Sequence, residues 1–293
     1  MGLWNLARIF MSKVHWSIPD LDGREVDVVF KAKVPEEDAK RLERLIHLVC
    51  KGEKVAKKFV KLKINVVHRK KNVAGWINSA AVNGEDTIHL NYPFIMNASD
   101  AQIYVMITHE ITHLWHSRIN NILARKSKYL KRLAKVRKKP KGMRDALGIF
   151  FHSVAIEGVA EFFSEKSLGL AFSKANFNED YDYAVNDVNH LHNVWWKYVI
   201  GRKVSREKMM EEIRAVLQGV SFHVVYTIAF AGKKSRIKME AVANMKHFQI
   251  IKEYEKAMDK MGLQPVISVT SGQGILDYDR MLAELESRKK MFN

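Results

Sequence analysis

Two histidines four residues apart, with a glutamate between them, are the residues of this chain best suited to do chemistry. His109 and His113 lie in the sequence His-Glu-Ile-Thr-His, within a run apolar enough to form a buried helix. Residues four apart lie on one face of a helix, so both imidazoles can reach one metal ion. Glu110 lies about 100° round the helix from His109, where its carboxylate can reach a metal-bound water without being a ligand. This spacing predicts a zinc ion with an open coordination position.

A second acidic motif downstream could complete such a site. Glu157 and Glu161 lie four residues apart in the sequence Glu-Gly-Val-Ala-Glu-Phe-Phe, which also has the spacing of a helix. A zinc ion held by two histidines needs a third ligand, and in one large class of sites this ligand is a carboxylate. Histidine ligands also need a partner for their second ring nitrogen. One glutamate could bind the metal and the other could orient an imidazole; a solvated acidic helix face is the alternative.

The two motifs together resemble the gluzincin metallopeptidases, the thermolysin and aminopeptidase type, which carry an HExxH helix and a later glutamate-bearing helix. The resemblance covers about residues 72–167. It implies one Zn²⁺ ion, whose ligands would be His109, His113 and Glu157. It further implies that Glu110 is the general base and that Glu161 hydrogen-bonds a ligand histidine.

The chain departs from the best-known gluzincins in the distance between its two motifs. Glu157 lies much further beyond His113 than in those members, and a basic segment lies in between. The resemblance therefore indicates the general class. The metzincin pattern fits less well, because Ile119 stands where that pattern has a third histidine. His116 falls on nearly the same helix face, but three ligands from one straight helix would span about 10 Å. We expect His116 to pack beside the site or to support a metal ligand from outside it.

A small sheet is expected before the metal helix. Residues 35–52 have the signals of a helix, and residues 60–68 alternate as a strand. Residues 73–82 and 87–92 are expected to form a hairpin across Asn83-Gly84, a dipeptide that tolerates a tight turn. Ser99 and Gln102 have the spacing of a capping box at the start of the metal helix.

The strand at residues 87–92 is a candidate for substrate binding. In the resembling peptidases an edge strand at this place runs along the cleft and pairs with the substrate main chain. An unpaired edge offers hydrogen-bond donors and acceptors to an extended peptide. His89 and Asn91 are therefore candidate substrate-binding residues; an edge strand covered by other parts of the protein is the alternative.

The C-terminal half has the periodicity of a mostly helical region. Helices are expected at residues 183–200, 206–218, 236–261 and 275–291. The resembling enzymes use a His or Tyr from this region to stabilise the oxyanion. We name His223 and Tyr226 for this role, and the competing candidates are Tyr181, Tyr183, His190 and His192.

These elements together predict an α+β, zincin-like fold. A small mixed β-sheet would pack on the HExxH helix, and a mostly helical C-terminal lobe would follow. The expected organisation is an N-terminal α/β lobe at residues 1–122, a basic insertion at 123–143, and the helical lobe, with the third zinc ligand, at 144–293.

The segment that begins at Arg125 and ends at Arg144 is strongly basic. It holds eleven Lys or Arg and no acid, so it supplies eleven of the net charge of +17 and leaves +6 for the rest. A solvated helical excursion is one interpretation. The other is non-specific binding of nucleic acid or another acidic partner through this segment.

Composition restricts the remaining classes. Cys50 is the single cysteine, which excludes an intrachain disulfide and favours a reducing, cytoplasmic compartment. The most apolar run, residues 220–232, is too short for a transmembrane segment. The sequence thus predicts a zinc metallopeptidase acting on polypeptides, with an endopeptidase favoured over an exopeptidase. The alternative is a polyanion-binding protein with a non-catalytic zinc site, against which the open coordination position argues.

Overall fold

The fold of this chain is mixed α+β, as the sequence predicts. The computed structural model describes residues 10–11, 15–17, 23–68, 74–78, 86–120, 139–167, 169, 173–199, 206–235, 239–270 and 272–289. The chain divides into two compact units. The first comprises Met1–Leu123 and Phe163–Leu170, and the second comprises Ala124–Phe162 and Ala171–Asn293.

A five-stranded mixed sheet forms the centre of the first unit. The strands of this unit, in chain order, are β1 (Phe10–Met11), β2 (His15–Ser17), β3 (Glu25–Phe30), β4 (Val34–Pro35), β5 (Lys61–Val67), β6 (Gly75–Asn78) and β7 (Thr87–Asn91). β1 and β4 form a separate two-stranded pair. The sheet has the order β2-β3-β5-β7-β6, in which β3, β5 and β7 are parallel and the two outer strands are antiparallel to their neighbours. The predicted antiparallel pairing of β6 with β7 is confirmed. The predicted turn at Asn83-Gly84 lies outside the described residues.

Among the described residues of the first unit, three α-helices lie wholly within it, beside a short 3-10 helix at Ala56–Lys58. They are α1 (Glu36–Gly52), α2 (Tyr92–Ile95) and α3 (Asp100–Asn120). The HExxH motif lies in α3, which buries Ile107, Ile111 and Leu114 completely. Apolar residues at this spacing form one face of a helix, so this face holds α3 in the core.

Both ends of α3 are fixed by polar contacts. At its start, Ser99 N–H donates to Gln102 Oε1 at 2.9 Å and Gln102 N–H to Ser99 Oγ at 3.3 Å, which confirms the predicted capping box. Arg41 Nε donates to Asp100 Oδ1 at 2.6 Å. At the other end, Arg118 forms an ion pair with Asp86, whose side chain is only 5% exposed. The metal helix therefore has a defined position relative to the sheet.

The second unit is mostly helical, as predicted, although its helix bounds differ from the expected ones. Its described helices are α4 (Lys139–Ser167), α5 (Lys174–Val199), α6 (Arg206–Ser235), α7 (Met239–Ala243), α8 (His247–Lys260) and α9 (Tyr278–Lys289). The last part of α4, residues 163–167, belongs to the first unit. The helix expected at 206–218 continues to Ser235, because the apolar run that follows is helical too. The helix expected at 236–261 is interrupted between α7 and α8. A short parallel pair, β8 (Ile267–Ser268) with β9 (Leu276–Asp277), was not predicted.

One helix in the described part of the chain is long and apolar enough to cross a membrane. It is the stretch Glu211–Gly232 of α6. The sequence analysis considered only the shorter apolar run at 220–232 and judged it too short for a transmembrane segment. In the protein, 61% of the most apolar window of Glu211–Gly232 is buried. Core helices of soluble proteins have the same length and composition.

Cys50 is buried in α1, as expected for a small apolar residue. Burial raises the pKa of its thiol to about 12, and the nearby Arg24 opposes this shift only in part. The thiolate is the nucleophilic form of cysteine, so this side chain is not a candidate nucleophile.

We predict that Arg118→Met lowers the free energy of unfolding by about 1–3 kcal/mol, because it removes a cation that pairs with the buried Asp86 carboxylate. Arg44→Met is the matched control. It removes an ion pair with Asp100 in which both side chains are exposed, and it should cost less than about 1 kcal/mol. Urea unfolding of both variants measures the difference, and equal losses would contradict the role of the Arg118 pair.

Candidate metal centre

His109 and His113 present two imidazoles from one face of α3. Their ring centroids are 4.4 Å apart and the ring planes are 88° to each other. This is the consequence of the four-residue spacing, which places the second histidine one turn after the first. Thr108 and Thr112 are fully buried beside them, and each hydroxyl donates to the carbonyl four residues earlier, at 2.9 Å and 2.8 Å. The polar side chains of this turn are therefore accommodated within the helix itself.

Glu157 of α4 completes a group that could hold a metal ion. One ligand atom from each of His109, His113 and Glu157 lies within 4.8 Å of the other two. Ligands about 2.1 Å from a tetrahedral zinc ion are about 3.4 Å apart, so small side-chain rotations suffice to close the group on an ion. Two imidazoles and one carboxylate are also the donor set of catalytic zinc sites with an open fourth position. The sequence prediction that these three residues come together is confirmed.

The position of Glu157 is set by the next residue, Gly158. A Cβ atom at Gly158 would lie 2.7 Å from Val225 Cγ2 and 2.9 Å from the Ser221 carbonyl carbon, both in α6. Real Cβ atoms essentially never approach so closely. The absence of a side chain at this position therefore allows α4 and α6 to pack main chain against main chain. This contact fixes the turn of α4 that carries the third ligand.

Glu110 lies next to His109 on α3 and is half-buried. β6 lies beside this side chain, since a Cβ at Gly75 would lie 2.9 Å from Glu110 Cγ and 3.0 Å from Glu110 Oε1. The side chain of the candidate general base is therefore in contact with the main chain of this strand.

Glu161 and His116 lie one turn beyond the candidate ligands on their respective helices. Both are buried, with Glu161 9% exposed and His116 fully enclosed. The hydrogen bond that the family resemblance implies between Glu161 and a ligand histidine stays a prediction. His116 does not belong to the metal group of the described residues, in agreement with the packing role expected for it.

The placement of β7 corrects the expectation for His89 and Asn91. β7 is an internal strand between β5 and β6, so β6 is the edge on this side of the described sheet. Gly75 pairs with Leu90, and the Cβ direction of Gly75 points towards α3. Paired residues face the same side of a sheet and neighbours alternate. His89 and Asn91 therefore point to the opposite face, away from the metal helix, and Asn91 is only 1% exposed.

The placement of His223 corrects the expectation for the oxyanion. His223 is fully buried, with Nδ1 2.6 Å from Asp180 Oδ2 and Nε2 3.4 Å from Thr227 Oγ1. Ser221 and Val225 face Gly158 of α4, whereas residue 223 lies about 200° round the helix from residue 221. His223 thus packs against α5, which carries Asp180, and its ring lies in the interior of the helical unit.

Tyr226, His190 and Tyr181 also make packing or surface contacts, and Tyr183 is exposed. Tyr226 is 1% exposed and stacks on Phe222 with a centroid distance of 5.3 Å. His190 pairs with Glu212 at 2.7 Å on the surface, and Tyr181 donates to the Gln264 carbonyl at 3.0 Å. We therefore assign no oxyanion donor to this set.

The basic segment from Arg125 to Arg144 lies mostly outside the described residues. Its last part, from Lys139 onwards, is the start of α4. The expected electrostatic role of this segment stays a prediction.

Comparison of the chain with models of protein families, with curated proteins and with solved structures finds no match. The candidate centre therefore rests on the chemistry and the geometry of the chain's own residues.

Two residues that position the site, Gly75 and Gly158, were missed by the sequence analysis. Gly158 lies inside α4 and Gly75 is the first residue of β6, and glycine is unfavourable in such elements because of its conformational freedom. Such a glycine often marks a close approach of another main chain. This signal was present in the sequence, but it does not identify which segment approaches.

We predict that Gly158→Ala destabilises the protein by about 1–3 kcal/mol and weakens zinc binding at least tenfold, because the added methyl group pushes α4 from α6 and displaces Glu157. Thermal unfolding and a zinc competition titration measure the two effects. Gly148→Ala in the same helix is the control, since a Cβ there meets no atom within 4 Å. A Gly158→Ala protein with the stability and zinc affinity of this control would contradict the prediction.

Proposed function

We propose that this protein is a zinc-dependent metallopeptidase that hydrolyses peptide bonds with the help of Glu110. The observation that carries the proposal is the convergence of His109, His113 and Glu157 into one group with ligand atoms within 4.8 Å. A structural zinc site normally has four protein ligands and is rich in cysteine. The single cysteine, Cys50, is buried in α1 and is not part of this group.

The chain's own residues divide the chemistry between them. Zinc, when bound, supplies a Lewis acid that polarises the scissile carbonyl and lowers the pKa of water towards about 7. His109, His113 and Glu157 hold the ion. Glu110 accepts a proton from the attacking water and then donates it to the leaving amine, so that it acts first as general base and then as general acid.

The position of the edge strand β6 is an argument for a polypeptide as the substrate. β6 is the last strand of the described sheet on this side, and its residue Gly75 lies against the side chain of Glu110. An extended peptide can add to a free sheet edge by main-chain hydrogen bonds. A peptide bound along β6 would pass beside the general base. The strand that takes this role in the proposal is thus β6 and not β7.

We expect purified protein to contain about one zinc ion per chain, and His113→Ala to lose it. Removal of one of three protein ligands leaves two, too few for a stable site. Metal analysis of dialysed protein measures this. His190→Ala is the matched control because this histidine is exposed and pairs with Glu212, and it should keep its zinc. Wild-type protein that binds no zinc would end the proposal.

We expect Glu110→Gln to keep the zinc ion and to lower kcat by about 10²–10⁴-fold, because glutamine cannot accept the proton. The measurement is cleavage of a denatured proteome, wild type against variant, with zinc content determined in parallel. Glu25→Gln, which changes an exposed glutamate paired with Lys61, is the control for the loss of one negative charge. Unimpaired cleavage by the Glu110→Gln protein would remove Glu110 from its role.

The high positive charge favours one other function, polyanion binding with a zinc ion that does no chemistry. The segment from Arg125 to Arg144 holds eleven basic residues and no acid. This composition is typical of segments that bind nucleic acids or acidic proteins. Binding to DNA that weakens steeply with salt, together with no cleavage of any peptide, would favour this function over the peptidase.

A further inference from the structure

The main chain of β6 comes unusually close to the side chain of Glu110 at Gly75. A Cβ atom built there would lie 2.9 Å from Glu110 Cγ, 3.0 Å from Glu110 Oε1 and 3.0 Å from the carbonyl oxygen of His89. Real Cβ atoms essentially never lie closer than 3.0 Å to another heavy atom. Any residue other than glycine at this position therefore requires a neighbour to move.

The neighbours of Gly75 differ in their freedom to move. The His89 carbonyl belongs to β7, which is hydrogen-bonded between β5 and β6 and is held by the sheet. The backbone of Glu110 is held as well, because α3 is anchored by Asp100 at its start and by Arg118 at its end. The side chain of Glu110 rotates about its own bonds, so it is the group that a methyl group at residue 75 would displace.

We propose that Gly75 is a positioning residue for Glu110. Its lack of a side chain lets the main chain of β6 lie against the Glu110 methylene and carboxylate, and this contact restricts the conformations open to the carboxylate beside His109. The contact is a property of the first unit alone. Its consequence for turnover rests on the proposed function of Glu110 as general base.

The energetics of a general base make such a restriction useful. A base works when it lies within about 2.6–3.2 Å of the proton that it accepts. A misplacement of about 1 Å costs on the order of 10²-fold in rate. Glycine within a strand weakens that strand, since it has no side chain to pack and much conformational freedom to lose. The close approach of Glu110 explains why a glycine is present in β6 despite this cost.

The first test is kinetic and uses Gly75→Ala alone and combined with Glu110→Ala. We expect Gly75→Ala to lower kcat at least tenfold while KM and zinc content stay within about twofold of wild type. In the Glu110→Ala background the same substitution should change the residual rate by less than twofold, because the group that it displaces is gone. A purely structural role for Gly75 would lower the rate by the same factor in both backgrounds.

The second test needs neither metal nor substrate. The melting temperatures of metal-free wild type, Gly75→Ala, Glu110→Ala and the double variant form a thermodynamic cycle. We expect Gly75→Ala to lower the melting temperature by at least about 2–4 °C, and to lower it much less when Glu110 is already alanine. Ile77→Ala, on the same strand and the same face, is the matched control, and its effect should add to that of Glu110→Ala.

The two tests separate this inference from the proposed function. A protein that cleaves no peptide but shows coupling in the melting cycle supports the positioning contact and overturns only the peptidase function. An active peptidase in which Gly75→Ala keeps full kcat, or an additive melting cycle, overturns the inference. If Gly75→Ala does not fold while the double variant does, the coupling is present in its strongest form. If neither folds while the Ile77→Ala control does, the glycine serves the His89 carbonyl instead, and the inference fails.

Discussion

The close packing of Gly158 against the main chain of α6 constrains the helix turn that carries Glu157. Two histidines on one helix turn can aim at one point, but they cannot supply the third ligand from the same face. That ligand comes from Glu157, 44 positions beyond His113, on another helix. Its position is defined because α4 meets α6 at Gly158 with no side chain between the two main chains. A separation this close leaves little freedom for α4 to slide or rotate.

A second constraint holds the histidine helix itself. α3 is amphipathic only in a limited sense, since it carries the buried Thr108, Thr112 and His116 beside its apolar residues. The threonine hydroxyls are satisfied by carbonyls of the same helix, and the two ends are fixed by ion pairs and a capping box. Thr108 and Thr112 are therefore buried on this helix without the cost of unpaired hydroxyl groups. The ligand face is then presented in one orientation.

Where the sequence analysis was wrong, the reason lies in which face of an element meets which neighbour. The alternation of β7 was recognised, with Ile88 and Leu90 on one side and His89 and Asn91 on the other. Polarity suggested that the second pair faced the site, yet the apolar pair faces α3. The other face is polar and still buried, as Asn65 at 2% and Asn91 at 1% exposed indicate. The expectation that His223 stabilises the oxyanion fails for the same reason, because this histidine lies inside the helical unit and pairs with the Asp180 carboxylate.

The sequence by itself determined the chemistry that lies within one element and the elements of the first unit that carry it. The four-residue spacing of His109 and His113, the capping box and the pairing of β6 with β7 are local properties, set by helix and strand periodicity. Only the tertiary structure decided that Glu157 joins the histidines, that β6 and not β7 is the edge strand beside Glu110, and that His223 is internal. These facts depend on contacts between segments that are distant in the sequence, and periodicity along one segment does not specify which distant segment will pack against it.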